Sequence, residues 1–187
     1  MGKTVKIDAK QIQKLREQTN AGVMDCKQAL EKASGDFTQA VQFLREKGIA
    51  LAAKKAHRQV REGRITAYVH SNHKIGVLVE VNCETDFVSR CAEFQQFSKD
   101  VAMQIAALNP TYLKKEDVPK DVAKEQKARL EDFYKQSCLM EQSFVKDQSK
   151  SISDYLAEIV GKIGENILIS RFTRFELGAT LGNEAKK

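Results

Sequence analysis

The chain has 187 residues, of which 42% are hydrophobic and 30% are charged, and its formal net charge is +6. This length suffices for one medium domain or two small ones, each with a hydrophobic core. No apolar run is long enough for a signal peptide or a membrane span, so the composition predicts a cytoplasmic protein that does not contact a membrane.

The positive charge is concentrated in the N-terminal third. Residues 1–56 contain 11 Lys and Arg against 6 Asp and Glu, whereas residues 57–187 contain 20 against 19. A basic region attracts an acidic protein surface or a nucleic acid, because the long-range field does not distinguish them. A solvated basic surface without a dedicated partner is equally consistent with this pattern.

The hydrophobic spacing in residues 1–56 predicts three short helices. Asp8 and Asp36 are suitable caps for the first and third helices, the second begins near Met24, and the third continues through residues 49–55. The inward-facing positions at helical spacing are Ile12, Leu15, Cys26, Ala29, Leu30, Ala33, Phe37, Ala40, Val41 and Leu44. These patterns predict a three-helix bundle in residues 1–56 and a polar linker in residues 57–62.

A β-hairpin is predicted next, with arms at residues 65–70 and 75–82 and a turn at residues 71–73. The second arm, GVLVEVN, places three valines on one apolar face. A long helix follows, because apolar residues recur at steps of 3, 4, 4 and 3 until residues 109–110, and it should cover one face of the hairpin. These residues are Phe94, Phe97, Val101, Ile105 and Leu108.

The second half of the chain is less regular. We expect a loop at residues 112–119, an exposed, charged and helix-prone stretch at 121–136, and an ordered segment without helical or strand period at 138–147. A last strand at 166–177 and a flexible tail at 179–187 follow. Ser151 and Asp154 resemble a capping box at the start of another helix, which Gly164 ends. The predicted fold class is therefore α+β, with a core domain at residues 63–178 built on a small antiparallel sheet of about three strands.

The second arm of the hairpin leads directly into Glu84, Thr85, Asp86 and Phe87 without an intervening glycine or proline. An acid and a large aromatic side chain at the end of a strand occupy a position that rigid folds often use for function. In the alternative interpretation, Thr85 caps the next helix and Phe87 folds back into the core, as most phenylalanines do.

The sequence contains no constellation for catalysis. It lacks a glycine-rich phosphate loop and a nucleophile elbow, and the side chains of Glu84 and Asp86 should point apart at the end of a strand. The four cysteines show no CxxC spacing, and the three histidines are a weak metal signal. We therefore predict a binding or regulatory protein rather than an enzyme, without cofactor or metal, whose contact candidates are the turn after the sheet and the apolar pair Val23 and Met24.

Three separated segments resemble the translation elongation factor Ts family. They are LREQTNAGVMDCKQAL (residues 15–30), GVLVEVNCETDFV (76–88), and LMEQSFVKD with KIGENILISRFTRFELG (139–147 and 162–178). The resemblance implies a ubiquitin-associated-like (UBA-like) helical domain and guanine-nucleotide exchange on elongation factor Tu during translation elongation. It implies that the GDP-bound and nucleotide-free forms of elongation factor Tu are the partners, and that no nucleic acid is bound directly.

The resemblance also assigns the contact residues. The family motif TDFV, whose phenylalanine intrudes into the partner's GTPase domain and disturbs the site of Mg²⁺ and the diphosphate, falls on Thr85, Asp86, Phe87 and Val88. The N-terminal contact region of the family falls on Arg16, Val23 and Met24.

Three substitutions and two missing or shortened regions distinguish this chain from the family pattern. Val23 stands where many members have a first methionine, Asn20 where they have a glycine, and Gln104 where many have a histidine. The long second half of the core with its coiled-coil insertion is absent, and residues 120–130 are shortened. Compact members are thought to pair, so the resemblance predicts a homodimer packed through its sheet faces that binds two partner molecules. The competing hypothesis is a basic helical adaptor for nucleic acid or peptide with a dimerisation core.

Overall fold

The structure, a computed structural model, describes residues 7–19 and 21–179. Its contacts divide the chain into two compact units. The first unit contains the described residues up to Arg58 together with Ala157–Asn166, and the second contains Gln59–Leu156 and the described residues from Ile167 onward. Of the predicted flexible tail at residues 179–187, all but Ala179 lies outside the described residues.

Helices and strands follow one another in a mixed order. They are α1 (Ala9–Thr19), α2 (Val23–Lys32), α3 (Phe37–Lys55), β1 (Glu62–Val69), β2 (Ile75–Cys83), α4 (Asp86–Arg90), α5 (Ala92–Leu108), α6 (Lys120–Glu125), α7 (Leu130–Ser137), β3 (Ser143–Phe144), β4 (Asp147–Ser151), α8 (Ile152–Ile163) and β5 (Ile167–Glu176). Short 3-10 helices lie at Lys115–Asp117, Lys127–Arg129 and Leu139–Glu141.

The first unit contains the predicted three-helix bundle. Asp8 accepts a hydrogen bond from the backbone N–H of Gln11 at 2.7 Å, and Asp36 accepts one from Gln39 at 2.9 Å, which confirms both predicted caps. The buried core consists of Leu15, Cys26, Ala29, Leu30, Ala33 and Ala40. Val41, predicted to face inward, is 38% exposed, because it lies one position around the helix from the buried Ala40.

The last part of α8 and the residues that follow it belong to this first unit, although they lie within the range predicted for the core domain. Gly48 of α3 lies so close to α8 that a Cβ atom built on it would be 3.2 Å from the carbonyl oxygen of Ala157. The ammonium group of Lys55 donates a hydrogen bond to the carbonyl of Gly164, and the amide of Asn166 donates one to the carbonyl of Arg58 at 2.9 Å. A segment distant in sequence thus extends the helical unit.

The second unit contains the predicted antiparallel sheet, with strand order β1-β2-β5. Glu62, expected to end the linker, already belongs to β1 and pairs with Cys83. The inner face of β2 is buried through Val77, Val79 and Val81, as its alternation predicted. The sheet and its covering helices confirm the α+β fold class.

Helix α5 packs on the inner face of the sheet through four fully buried side chains. They are Phe94, Phe97, Val101 and Ile105. Leu108, the fifth residue of the predicted apolar stripe, is instead 45% exposed. It is the last residue of α5, directly before Asn109, which takes the left-handed conformation and ends the helix.

One irregular stretch of the sequence contains more regular structure than predicted. Residues 138–147, predicted to be ordered but without helical or strand period, include a 3-10 helix and begin the β3–β4 hairpin. Strands this short show too few residues to reveal an alternation. The amide of the buried Gln104 donates to the carbonyl of Ser143 at 3.0 Å and accepts from the N–H of Val145 at 2.9 Å, so it holds this hairpin against α5.

The start and end of α8 agree with the sequence signals. The N–H of Ser151 donates to the carboxylate of Asp154 at 3.0 Å, and the N–H of Asp154 donates to the hydroxyl of Ser151 at 3.1 Å, so the predicted capping box is confirmed. Gly164 ends the helix with a φ of 85°.

The charged stretch at residues 121–136 forms two exposed helices, α6 and α7, separated by a 3-10 turn.

Candidate functional site

Phe87 is the most exposed large apolar side chain in the described structure, at 83%. It is the second residue of α4, which begins three residues after β2 ends. Because β2 is hydrogen bonded to a strand on each side, its end is a fixed point of the second unit. The interpretation in which Phe87 folds back into the core is therefore wrong, and the sheet presents an aromatic ring to solvent.

Local hydrogen bonds explain why the chain turns into a helix here. Thr85 has extended backbone angles, and its hydroxyl accepts a hydrogen bond from the N–H of Val88 at 3.4 Å. The hydroxyl of Ser89 donates to the carbonyl of Asp86 at 2.7 Å. The guanidinium of Arg90 lies 2.9 Å from the carboxylate of Asp86, one helical turn away. These contacts stabilise the five-residue helix, and Phe87 lies outside its packed side.

The neighbours of Phe87 in the TDFV segment are partly buried. Thr85, Asp86 and Val88 are all of intermediate exposure, and α4 contacts β1, β2 and α5. The thiol of the buried Cys83 donates a hydrogen bond to the carbonyl of Thr85 at 3.1 Å. Thus three of the four motif residues anchor the turn, and the fourth, Phe87, projects from it.

In the first unit, the apolar pair Val23 and Met24 forms the first two residues of α2, and these side chains are 50% and 62% exposed. Beside them, Asp25 forms a 2.6 Å ion pair with Lys47 of α3. Arg16 is exposed on α1. The structure therefore places all three residues of the predicted N-terminal contact region at the surface of one unit.

Both surfaces consist of exposed apolar side chains and ion-paired charges. Within residues 7–19 and 21–179, no cluster of three His, Cys, Asp or Glu side chains is placed to hold a metal ion. Asp86 is paired with Arg90 within the same helix. What both surfaces offer is exposed apolar area next to ionic groups, which suits contact with another protein.

The structure also shows an exposed apolar surface that the sequence analysis did not assign to particular residues. The outer face of the sheet, opposite α5, carries six large apolar side chains on or next to its strands: Ile65, Val69, Leu78, Leu168, Phe175 and Leu177. A signal was present in the sequence, because Ile65, Ala67 and Val69 alternate with Tyr68, so that both faces of β1 carry apolar residues. Alternation alone does not say which face is covered.

No helix in the described part of the chain combines the length and the apolar character required to cross a membrane.

The chain is similar to known proteins over most of its length. The family model described as "Elongation factor TS" matches residues 3–130 and 126–179. An elongation factor Ts from Caldanaerobacter subterraneus subsp. tengcongensis is 49% identical over 194 residues, with 92% of this chain and 97% of the relative covered. Those from Thermodesulfovibrio yellowstonii and Thermotoga neapolitana are 46% and 48% identical, covering 93% and 89% of this chain and 98% and 95% of the relatives. The matches extend over nearly the whole chain, and the protein belongs to the elongation factor Ts family.

Proposed function

We propose that this protein is a guanine-nucleotide exchange factor that acts on elongation factor Tu in the cytoplasm and promotes GDP release during translation elongation. The observation that carries the proposal is the exposed ring of Phe87, which a short helix holds at the end of the central strand. Membership in the elongation factor Ts family supports it. In this function the protein changes a partner's affinity for a nucleotide and performs no chemical step on a substrate.

In the proposed mechanism, Phe87 inserts between helices of the GTPase domain and disturbs the site that binds Mg²⁺ and the diphosphate. Guanine nucleotides are held largely through their phosphates and the metal. A protein that prefers the disturbed site must weaken GDP binding by the same factor by which GDP weakens its own binding. Thr85, Asp86 and Val88 would position the ring, since they anchor α4.

One aromatic ring is not sufficient for strong exchange activity. Burying a phenylalanine contributes about 1.5 to 3 kcal/mol, which corresponds to a factor of about 10 to 150 in affinity. We therefore assign a second contact with the same GTPase domain to Arg16, Val23 and Met24. In this division of roles, the helical domain (residues 1–56) holds the partner and the core domain (residues 63–178) acts on its nucleotide site.

The test is the release of fluorescently labelled GDP from elongation factor Tu in the presence of a catalytic amount of this protein. The wild type should accelerate release, and Phe87→Ala should lose at least about nine-tenths of that acceleration. Leu108→Ala is the matched control, because it also truncates an exposed apolar side chain, at the end of α5. A wild type that does not accelerate release overturns the exchange function, whereas a fully active Phe87→Ala overturns only the insertion mechanism.

We further propose that the protein is a homodimer packed through the outer faces of its sheets, and that the dimer binds two molecules of elongation factor Tu. The apolar side chains on that face support this, because a monomer rarely exposes so many together. Sedimentation equilibrium measures the oligomeric state directly. Phe175→Asp should shift the protein to monomers, and an unchanged mass would place the interface elsewhere.

A further inference from the structure

Two charged residues lie side by side within the apolar outer face of the sheet. Glu80 of β2 and Arg171 of β5 are register partners, and Nε of Arg171 lies 2.7 Å from Oε2 of Glu80. Ile65 of β1 pairs with Glu80 on the opposite side, so the three residues form one row across the face. Exposed apolar side chains lie both in this row and on either side of it along the strands.

The ion pair with Glu80 engages few of the hydrogen-bond donors of the Arg171 guanidinium group. Among the described residues, Nε is the nitrogen of Arg171 that forms a hydrogen bond, although a guanidinium carries five N–H donors. The side chain of Arg171 is 80% exposed, so its remaining donors are available to water. The hydrogen bond from Arg171 holds the pKa of the Glu80 carboxyl below its usual range, so this side chain is negatively charged at neutral pH.

Covering this face changes the energetics of the pair. A buried guanidinium is costly unless its donors meet acceptors, and an ion pair inside an apolar contact is tolerated only when it is fully hydrogen bonded. A second copy of the chain brings a suitable acceptor to the same surface, the carboxylate of its own Glu80. In a twofold interface, residue i of one copy meets residue j of the other, and j meets i, so both Arg171 side chains are satisfied at once.

We propose that in the dimer Arg171 of each copy also binds Glu80 of the second copy, and that the four charges form one network that fixes the orientation of the two sheets. This inference rests on the dimer proposed above and names the residues that determine its specificity. The surrounding apolar contacts are non-directional and would accept several orientations. Alignments that bring two arginines or two glutamates together are excluded by repulsion between like charges.

A charge-exchange experiment tests the network. In the double variant Glu80→Arg/Arg171→Glu, each copy keeps its own ion pair and two identical copies remain complementary, so the variant should dimerise nearly as strongly as the wild type. Between a variant and a wild-type copy, arginine faces arginine and glutamate faces glutamate. Native mass spectrometry of an equal mixture of wild type and ¹⁵N-labelled variant should therefore show mixed dimers below about one-tenth of all dimers, instead of the statistical half.

The matched control exchanges the charges of the Lys27–Glu31 pair on α2, which lies in the other unit of the chain. This control variant should mix freely with the wild type. Statistical mixing by the Glu80→Arg/Arg171→Glu variant overturns the network but not the dimer, whereas a monomeric wild type overturns both. If circular dichroism shows that the exchanged variant does not fold, Glu80→Gln provides the test. The network requires the dimer dissociation constant of Glu80→Gln to be at least about tenfold higher than that of the wild type. An unchanged dissociation constant refutes the network.

Discussion

The hydroxyl of Thr85 accepts a hydrogen bond from the backbone N–H of Val88 at 3.4 Å and thereby caps the helix that carries Phe87. The cap and the exposed ring belong to the same motif, so the sequence TDFV encodes both a structural start signal and a contact residue. Because α4 has only five residues, loss of this cap removes a large part of what holds the helix together.

Thr85→Ala should reduce the free energy of unfolding by about 0.5 to 1 kcal/mol, at the low end for an N-cap because the hydrogen bond is long. It should also lower the rate of GDP release from elongation factor Tu, since Phe87 loses its fixed position. Thr85→Ser keeps the oxygen acceptor and is the matched control. If the alanine variant matches the serine variant in both urea unfolding and exchange rate, the hydroxyl does not position the ring.

Replacement of the apolar pair on α2 should weaken partner binding without changing the fold. Val23→Ser/Met24→Ser removes two apolar side chains that are 50% and 62% exposed. The unfolding free energy should therefore change by less than about 0.5 kcal/mol. The concentration of elongation factor Tu that gives half-maximal exchange should rise at least about tenfold, because two buried apolar contacts are lost in the complex. The rate at saturation should change little.

Val41→Ser serves as the control for this second contact. Val41 is also exposed in the same unit, but it lies on α3 and outside the proposed contact. A similar rise in the half-maximal concentration for Val41→Ser would show that the effect is not specific to the start of α2.

Sequence patterns predicted the elements whose periodicity extends over several turns or pleats. Helical spacing predicted α5 and its buried face, which consists of Phe94, Phe97, Val101 and Ile105. The alternating valines predicted β2 and its inner face. The β3–β4 hairpin was missed because its strands are two and five residues long and the side-chain amide of Gln104 holds it from a distance of about 40 positions in the chain. Contacts of that kind leave no periodic signal.

The candidate site was predictable only to the level of the segment. The sequence identified the turn after β2, but the residue pattern alone favoured a buried Phe87, since most phenylalanines lie in the core. The structure decides this: in α4 and its N-cap, Thr85, Asp86 and Val88 are partly buried, whereas Phe87 is exposed. The orientation of β1 was likewise undetermined, because both of its faces carry apolar residues.

Gly63 should not tolerate a side chain. Its φ of 148° is in a region that favours glycine, and a Cβ atom at this position would overlap the carbonyl oxygen of Val81. Gly63→Ala should therefore reduce the free energy of unfolding by at least about 2 kcal/mol, because backbone in paired strands must move. Urea unfolding followed by circular dichroism measures this loss.

Gly76 provides the contrast within the same sheet. A Cβ atom there would meet no atom within 4 Å, so Gly76→Ala should leave the unfolding free energy unchanged or raise it by a few tenths of a kcal/mol, or about 0.5 at most. Equal destabilisation by both substitutions would mean that replacing any glycine of this sheet is costly, and that the contact with Val81 is not the cause at Gly63.

The stability of the protein should fall at alkaline pH in a way that depends on Cys138. This side chain is fully buried, and burial raises the pKa of its thiol from 9.0 to about 11. Below pH 9 the thiol is protonated in both the folded and the unfolded chain, so its contribution is constant. Between pH 9 and 11 the unfolded chain loses this proton first, and the free energy of unfolding should decrease by up to about 1.4 kcal/mol per pH unit on this account. Urea unfolding of the wild type and Cys138→Ala at pH 8 to 11 separates this effect from that of the other titrating groups, which both proteins share. The alanine variant should lose less stability over this interval. Parallel curves of unfolding free energy against pH would show that burial of the thiol does not contribute.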